Sequence, residues 1–523
     1  MANTWNLPDL PNLPNAQQGA VVTRFPPEAA GYLHLGHIKA LLINYSYAKK
    51  YNGKFILRFD DTNPDKEKTI YEQAIRDDID LLGLTADEIT FASAHFELME
   101  RLAKNLIEEN LAYVDFSTKE EIKFSRANLS ASPYRNSTVA DNTTAFEKMQ
   151  MGIYLNCCLR AKIDFKSANG SMRDPVIYRA KSAIHPRQGS KYHIYPTYDF
   201  SCPILDIVEK VTHAMRSVEY SDRKKQYEWF INALKLRNEA DPYPILSDYG
   251  KLNFSHTVLS KKKLVGLIGN SQTDDPTQIS TWCDPRMPTI RGIMRSGIQI
   301  QPLMDYIRTQ INSRAVVTLA WDKLWNFNKI HLDKTVCRIY GLNADPIKIG
   351  LHNTQGDLPK SIQILNHPKN SSYGTRTMPI TSNLLVDKSD FDTVKIDDRY
   401  TLIGLGNAAV VNLSPITLMY YPADRNFKNT TKITWLNDDE FVMRATVRTF
   451  GLLLSKPKLE ATDNIADFVN KNSFSEKTYL LENSIRNFPK ESVVQIMRKE
   501  YCYIDAIDET EIILHTVPLS NVQ

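Results

Sequence analysis

The stretch AVVTRFPPEAAGYLHLGHIKALLIN, residues 20–44, reads as a strand, a turn and the start of a helix. AVVTRF (20–25) is a short apolar run followed by two prolines, which is strand texture. PPEAAGY is turn chemistry. From about Leu35, Ile38, Leu41, Leu42 and Tyr45 recur at helical spacing. Working outward, KFILRF (54–59) is a second strand that ends in Asp60–Asp61, and Ile70, Ala74, Ile75, Ile79 and Leu82 mark a second helix. Helical patterning returns near 93–110 and again at 203–234. Strand, helix, strand, helix at these intervals implies a parallel sheet. Ligands of such sheets sit at the carboxyl ends of the strands. That rule gathers Arg24, the turn after it and Asp60 around one crevice.

Residues 113–194 break the alternation. They are rich in turn residues and basic in their second half, so we read an insertion. Residues 264–330 read as mainly helical. Beyond about 331 the texture becomes short β-branched runs separated by Asn, Asp, Gly and Pro, such as RYTLIGL, AAVVNL, TKITWL and VVQIMR. This is an all-β half of barrels or sandwiches. The charge-free stretch from Tyr400 to Pro422 holds Gly404, Gly406, Asn407, Asn412 and Pro415. It reads as two strands and a turn, not a membrane span. No internal repeat is visible.

A chain of 523 residues that is 42% hydrophobic and 24% charged is globular, with room for ~3 to 5 domains. The net charge of +4 hides an uneven distribution. Residues 59–120 carry 16 acidic against 6 basic side chains. Residues 160–193 carry 8 basic against 2 acidic, and residues 285–330 carry 7 against 2. Two separated basic blocks suit a long polyanion better than a point anion. Six scattered cysteines, with no CxxC pair, exclude a disulfide framework and suggest no zinc site; they fit a reducing compartment. The opening MANTWNLPDLPNLPNAQQ has neither the basic start nor the apolar run of a targeting signal. Its Pro8, Pro11 and Pro14 suggest an extended leader.

Two short motifs carry chemistry. HLGH (34–37) lies where a strand turn enters a helix, and helix N-termini attract anions. His34 and His37 share one side of the first turn, and Gly36 lets a flat base approach the backbone. Such a site suits a nucleoside triphosphate whose α-phosphate gains charge during reaction. VLSKKKL (258–264) places a serine and lysines where they can neutralise β- and γ-phosphates.

Together, HLGH and the serine–lysine loop about 220 residues later resemble the two signatures of class I aminoacyl-tRNA synthetases. TRFPPEAAGYLHLGHIKALLIN, LRFDDTNPDKEK, CCLRAKID, MRDPVIYR, YPTYDFSCPILDIVEKVTHAMRSVEY and VLSKKKL narrow the likeness to the glutamyl-/glutaminyl-tRNA synthetase subfamily, in its eukaryotic and archaeal form. The resemblance continues through DPRMPTIRGIMRSG, WDKLWNFNKI and HPKN into TKITWL and VNKNS. It covers about residues 20–510. HLGH replaces the commoner HIGH, a mild apolar exchange.

The resemblance implies a multidomain α/β plus all-β architecture: a leader (1–19), a Rossmann-type catalytic domain in two halves (20–112 and 195–263), an acceptor-end-binding insertion (113–194), a helical connector along the tRNA stem (264–330) and a two-barrel anticodon-binding region (331–523). It implies ATP-dependent ligation of an amino acid to tRNA in the cytoplasm, with magnesium arriving on ATP and no metal ligands from the protein. His34, Gly36, His37, Glu219, Leu259, Ser260 and Lys261 are the implied ATP-binding set. His34, His37 and Lys261 are the implied catalytic residues, Lys261 on the pyrophosphate. Arg24, Pro26, Asp60, Tyr198, Arg216 and Tyr220 form the implied amino-acid pocket, with Asp60 on the α-ammonium.

Arg216 separates the two subfamilies. A guanidinium pairs with the carboxylate of glutamate through charge-assisted hydrogen bonds, whereas an amide leaves donors unmatched. The glutaminyl enzymes resemble THAMR (212–216) with a small neutral residue at Arg216. We therefore expect L-glutamate and tRNA(Glu). The alternatives are a glutaminyl enzyme and an inactive tRNA-binding scaffold. A monomeric core is expected, with multi-synthetase partners reached through an N-terminal extension.

Overall fold

Strand β1 (Val22–Phe25) is followed by helix α1 (Leu35–Lys50), β2 (Lys54–Phe59), α2 (Thr69–Leu81) and β3 (Glu88–Phe91). This computed structural model describes residues 10–65, 69–237, 243–268, 275–438, 442–509 and 511–519. β2 is buried along nearly its whole length, which is why KFILRF is a continuous apolar run: a central parallel strand is covered on both faces. β1 pairs in parallel with β2, and β2 with β3. The sequence passes α3 (Phe96–Glu108), an insertion and α6 (Tyr198–Val208) before it returns to the sheet as β8 (His213–Ser217), α7 (Lys224–Ala233) and β9 (Ile245–Tyr249). β8 pairs in parallel with β9. Thr212 N–H donates to Val22 O at 3.1 Å, which seats β8 on the free side of β1. The order is thus β3-β2-β1-β8-β9. Connections leave β1 toward one side and return on the other, so the switch point lies between β1 and β8.

The insertion is less irregular than its sequence suggests. β4 (Ala112–Asp115), β5 (Cys158–Ala161), β6 (Val176–Ala180) and β7 (Ile194–Pro196) form an antiparallel sheet, with α4 (Lys119–Ala127) and α5 (Val139–Gln150) beside it. Strands of three to five residues between long loops leave little periodicity to read. The sheet's Leu159, Ile177 and Tyr178 share one core with Phe96 and Met99 of α3 and Phe200 and Ile204 of α6. The leader also differs from expectation. Pro8 lies outside the described residues, but Leu10 and Leu13 are buried, and Leu13 N–H donates to the Tyr51 hydroxyl at 2.9 Å. Within the described part of the leader, Leu10 and Leu13 are thus packed down, not merely extended.

By its contacts the chain divides into two units: Met1–Asn253 with Ile307–Leu319, and Phe254–Tyr306 with Ala320–Gln523. The stretch read as mainly helical contains α8 (Lys261–Leu267) and helices Ile290–Arg295, Ile300–Arg308 and Trp321–Thr335, with one strand, Val317–Leu319. The β half holds two seven-stranded sheets. One has edge strands Arg338–Ile339 and Gly341–Asn343, separated only by Tyr340; the other has edge strands Thr431–Ile433 and Trp435–Asn437, separated only by Thr434. Edges that are consecutive pieces of one stretch force each sheet to curl into a nearly closed barrel. TKITWL, read as one strand, is therefore two. Tyr400–Pro422, read as two strands, holds most of three: Arg399–Leu402, Gly406–Leu413 and Ile416–Tyr420. Among the described residues no helix is long and apolar enough to cross a membrane.

Candidate active site

The crevice begins at the N-terminus of α1. His34 caps the helix with an extended backbone (φ −130°, ψ 171°). Its N–H donates to His37 Nδ1 at 3.1 Å, and the two rings stack with centroids 3.7 Å apart. This pins both imidazoles on the first turn, with Gly36 between them. The positive end of the helix dipole at that turn forms an anion-attracting pole. Pro26 follows β1 directly, half-buried at the entry to the turn. Deeper in α1, Lys39 is fully buried, and its ammonium donates to Gly250 O at 2.7 Å and Ser313 O at 3.0 Å. Burial pulls it down to about 8.

The two aspartates after β2 part company. Asp61 accepts from Ser93 N–H at 2.7 Å and the Ser93 hydroxyl at 2.5 Å, so its carboxylate is spent inside the protein. Asp60 accepts a side-chain bond from the Thr62 hydroxyl at 2.9 Å. Burial pushes its carboxyl up to about 6 against that bond, with Glu28 and Asp61 adding to the rise. A carboxylate held this way gains from an incoming cation.

Arg24, at the end of β1, is 1% exposed. Its Nε and Nη2 grip Asp206 at 3.0 and 3.3 Å, and Nη1 donates to Met215 O at 3.1 Å. Its donors are thus engaged within the protein. Asp206 also accepts from Arg58 Nη1 at 2.7 Å and the Tyr227 hydroxyl at 3.0 Å, and Arg58 in turn binds Glu209 through Nε at 2.8 Å. Burial alone would raise the Asp206 carboxyl; the two guanidiniums outweigh it and hold it well below the usual range.

Arg216 on β8 is different. It is 6% exposed, yet its Nε and Nη1 have no hydrogen-bond partner among the described residues. Its guanidinium carbon lies 5.4 Å from the ring centroids of both Tyr220 and Tyr227. Tyr198, the first residue of α6, meets the Tyr220 ring edge-on at 5.8 Å. Glu219 is exposed on the turn Val218–Arg223 and pairs with Lys251 at 3.3 Å. Arg24, Pro26, Asp60, Tyr198, Arg216, Tyr220 and the HLGH residues all lie in the first unit. Leu259, Ser260 and Lys261 lie in the second, where exposed Ser260 caps α8, and Leu264 is buried against Leu453 and Leu454.

Sequence reading missed Arg58, Asp206, Glu209 and Tyr227. A signal was present: Arg58 interrupts an apolar strand, and Asp206 interrupts the apolar run PILDIV. Charges in such places are seldom buried unless paired. The sequence does not say with whom.

Comparison with known proteins agrees with this architecture. Residues 20–334 match the family model of class I tRNA synthetases (E and Q), catalytic domain. Residues 338–418 and 432–505 match two models of the anti-codon binding domain of the same class. The chain is 37% identical to the bifunctional glutamate/proline–tRNA ligase of Mus musculus, over 94% of this chain and 32% of that protein. It thus spans about a third of that relative's length. It is 37% identical to the cytoplasmic glutamate–tRNA ligase of Saccharomyces cerevisiae, over 97% of this chain and 71% of that protein. The corresponding figures for the probable cytoplasmic glutamate–tRNA ligase of Schizosaccharomyces pombe are 36%, 97% and 71%. With the catalytic model covering more than half of its length and the anti-codon models following in order, the chain belongs to the class I tRNA synthetases of the E and Q family.

Proposed function

We propose that the chain is a glutamate–tRNA ligase of the cytoplasm. It activates L-glutamate with ATP to glutamyl-adenylate and pyrophosphate, then esterifies the terminal adenosine of tRNA(Glu). The observation that carries the choice of amino acid is Arg216. A buried guanidinium with two unbonded donors costs free energy until an acceptor arrives, on the order of 1–3 kcal/mol for each unmatched group. A side-chain carboxylate satisfies it; a carboxamide offers one acceptor oxygen and adds donors of its own. Asp60 takes the α-ammonium. Tyr198 and Tyr220 wall the pocket, with Arg24 and Pro26 at its β1 side.

The first step asks little acid–base chemistry of the protein. The attacking carboxylate is already ionised, so alignment with the α-phosphate and dispersal of its charge are what remain. His34, Gly36 and His37 hold ATP at the α1 terminus, with Glu219 and Leu259 beside the nucleotide. Ser260 and Lys261, from the second unit, are assigned to the phosphates, Lys261 to the leaving pyrophosphate. Magnesium accompanies the triphosphate as its counter-charge.

For tRNA, the insertion takes the acceptor end, residues 264–330 follow the stem, and residues 331–523 read the anticodon. A cleft of about 410 Å³ in the first unit is the candidate place for the acceptor end; Arg126, Arg179 and Arg223 line it together with Asp199, Glu219 and Asp222. The test is aminoacylation of total tRNA with labelled glutamate and, separately, labelled glutamine. Charging with glutamate alone is expected. Charging with glutamine would overturn the role of Arg216, and no charging with either would favour a scaffold.

A further inference from the structure

We propose that His185 is a positioning residue of the amino-acid pocket: from the insertion it holds the backbone beside Asp60, and so sets where that carboxylate meets the substrate ammonium. The inference rests on the glutamate reading above and deepens it.

The argument starts from what Asp60 needs. A carboxylate that receives an ammonium has to be held to within about 0.5 Å by its surroundings. On one side, the Asp60 N–H donates to Pro27 O at 3.0 Å, in the turn after β1. On the other side stands Asp61, whose carboxylate is taken by Ser93, just after β3. The Asp61 carbonyl oxygen meets His185 Nε2 at 2.7 Å. His185 lies 124 residues further along the chain, in the loop 181–193 between β6 and β7. The same loop reaches the strand ends twice more. Lys181 Nζ donates to Asn63 Oδ1 at 2.6 Å, and Gln188 Nε2 donates to Ser93 O at 3.0 Å. The insertion thus grips the segment that carries Asp60.

The bonding of the ring fixes its proton. Nδ1 faces the backbone N–H groups of Arg187 at 3.0 Å and Gln188 at 3.2 Å, so it accepts. Nε2 therefore carries the hydrogen and donates to Asp61 O. The residue is 1% exposed, so water does not compete for either bond. One nitrogen closes the loop, and the other reaches the end of β2. Two substitutions separate these duties. An asparagine amide stands where Nδ1 stands and closes the same turn, but falls short of Asp61 O. A glutamine amide extends to where Nε2 stands and donates to Asp61 O, but no longer closes the turn. Both remove the ring from its contacts with Phe96 and Tyr195, so the loss of packing is common to the two.

The test uses the full chain at saturating tRNA and ATP, with glutamate charging as the assay. Glutarate, which is glutamate without its ammonium, serves as a competitor. In His185→Asn the glutamate KM is expected to rise about tenfold with kcat nearly kept, the mark of lost binding that acts equally before and during reaction. The glutarate inhibition constant is expected to stay within twofold, because glutarate makes no use of Asp60. His185→Gln is expected to keep the glutamate KM within threefold of wild type.

The reverse order, with KM raised in His185→Gln and kept in His185→Asn, would show that His185 only closes its own loop and would overturn the proposal. So would glutamate and glutarate weakening in parallel, as in a pocket loosened as a whole. If His185→Asn does not fold, His185→Gln decides: a KM within threefold supports the proposal and a tenfold rise defeats it. A wild-type chain that fails to charge glutamate, or an Asp60→Asn variant that charges it normally, overturns the earlier reading and this one with it. Charging that is lost in Asp60→Asn yet indifferent to His185→Asn overturns this inference alone.

Discussion

At the scale of single residues, this site keeps groups in states that cost stability without substrate. Asp60 is the clearest case. Its folded pKa of about 6 stands above the unfolded value near 4, so the folded state holds the proton more tightly. Ionising Asp60 therefore removes stability as pH rises from about 4 through 6, and the loss is complete above 6. Two units correspond to an upper figure of about 3 kcal/mol. Asp60→Asn is expected to raise the thermal midpoint at pH 7.5, to leave it nearly unchanged at pH 4, and to abolish glutamate activation. An equal shift at both pH values would show that ionisation is not the cause. If Asp60 takes the α-ammonium as proposed, the wild-type glutamate KM is expected to climb about tenfold per unit below pH 6, as the ammonium loses its anion. Arg216→Gln makes the complementary case: removing a buried cation with unbonded donors should not destabilise the fold, while glutamate kcat/KM falls by about a hundredfold or more, read by charging kinetics beside a melting curve.

At the scale of elements, the sequence declared strands and helices far better than their partners. β1, β2, α1 and α2 follow from apolar runs and spacing, and the position of Asp60 at the carboxyl end of β2 was legible for the same reason. Arg58, two residues earlier, was not. Its partner Glu209 is 151 residues away, and no local pattern encodes that distance. The two barrels were expected, but which strands close each one was hidden for the same reason: Arg338–Ile339 pairs with Gln495–Ile496 across the length of the β half. Close backbone approaches are equally silent. Asn52–Gly53 reads as an ordinary turn between α1 and β2, yet a Cβ on Gly53 would stand 1.9 Å from Val21 O. The chain cannot relieve that contact without moving β1, because Lys54 N–H donates to the same carbonyl at 2.8 Å. Gly53→Ala is therefore expected to cost several kcal/mol, on the order of an overpacked core. A thermal midpoint within two degrees of wild type would show that the β1–β2 junction yields.

At the scale of the whole molecule, the feature the sequence displayed most plainly was charge rather than shape. The basic block at 160–193 belongs to the insertion, and part of it now has an address: Arg179, exposed on β6, lines the cleft of the first unit together with Arg126 and Arg223. Arg179 lies outside the buried arginine cluster and outside the groups assigned to glutamate and ATP. If this cleft takes the acceptor end, Arg179 contributes through the phosphate backbone, where each neutralised phosphate releases counterions. Arg179→Ala should then weaken tRNA binding and reduce the slope of log affinity against log salt by about 1 in magnitude. The glutamate KM, measured at saturating tRNA, should stay within twofold, because the pocket at Arg216 is untouched. Filter binding across a potassium chloride series reads the slope directly. A change in glutamate KM with an unaltered salt slope would place Arg179 with the amino acid instead, and would remove the acceptor end from this cleft.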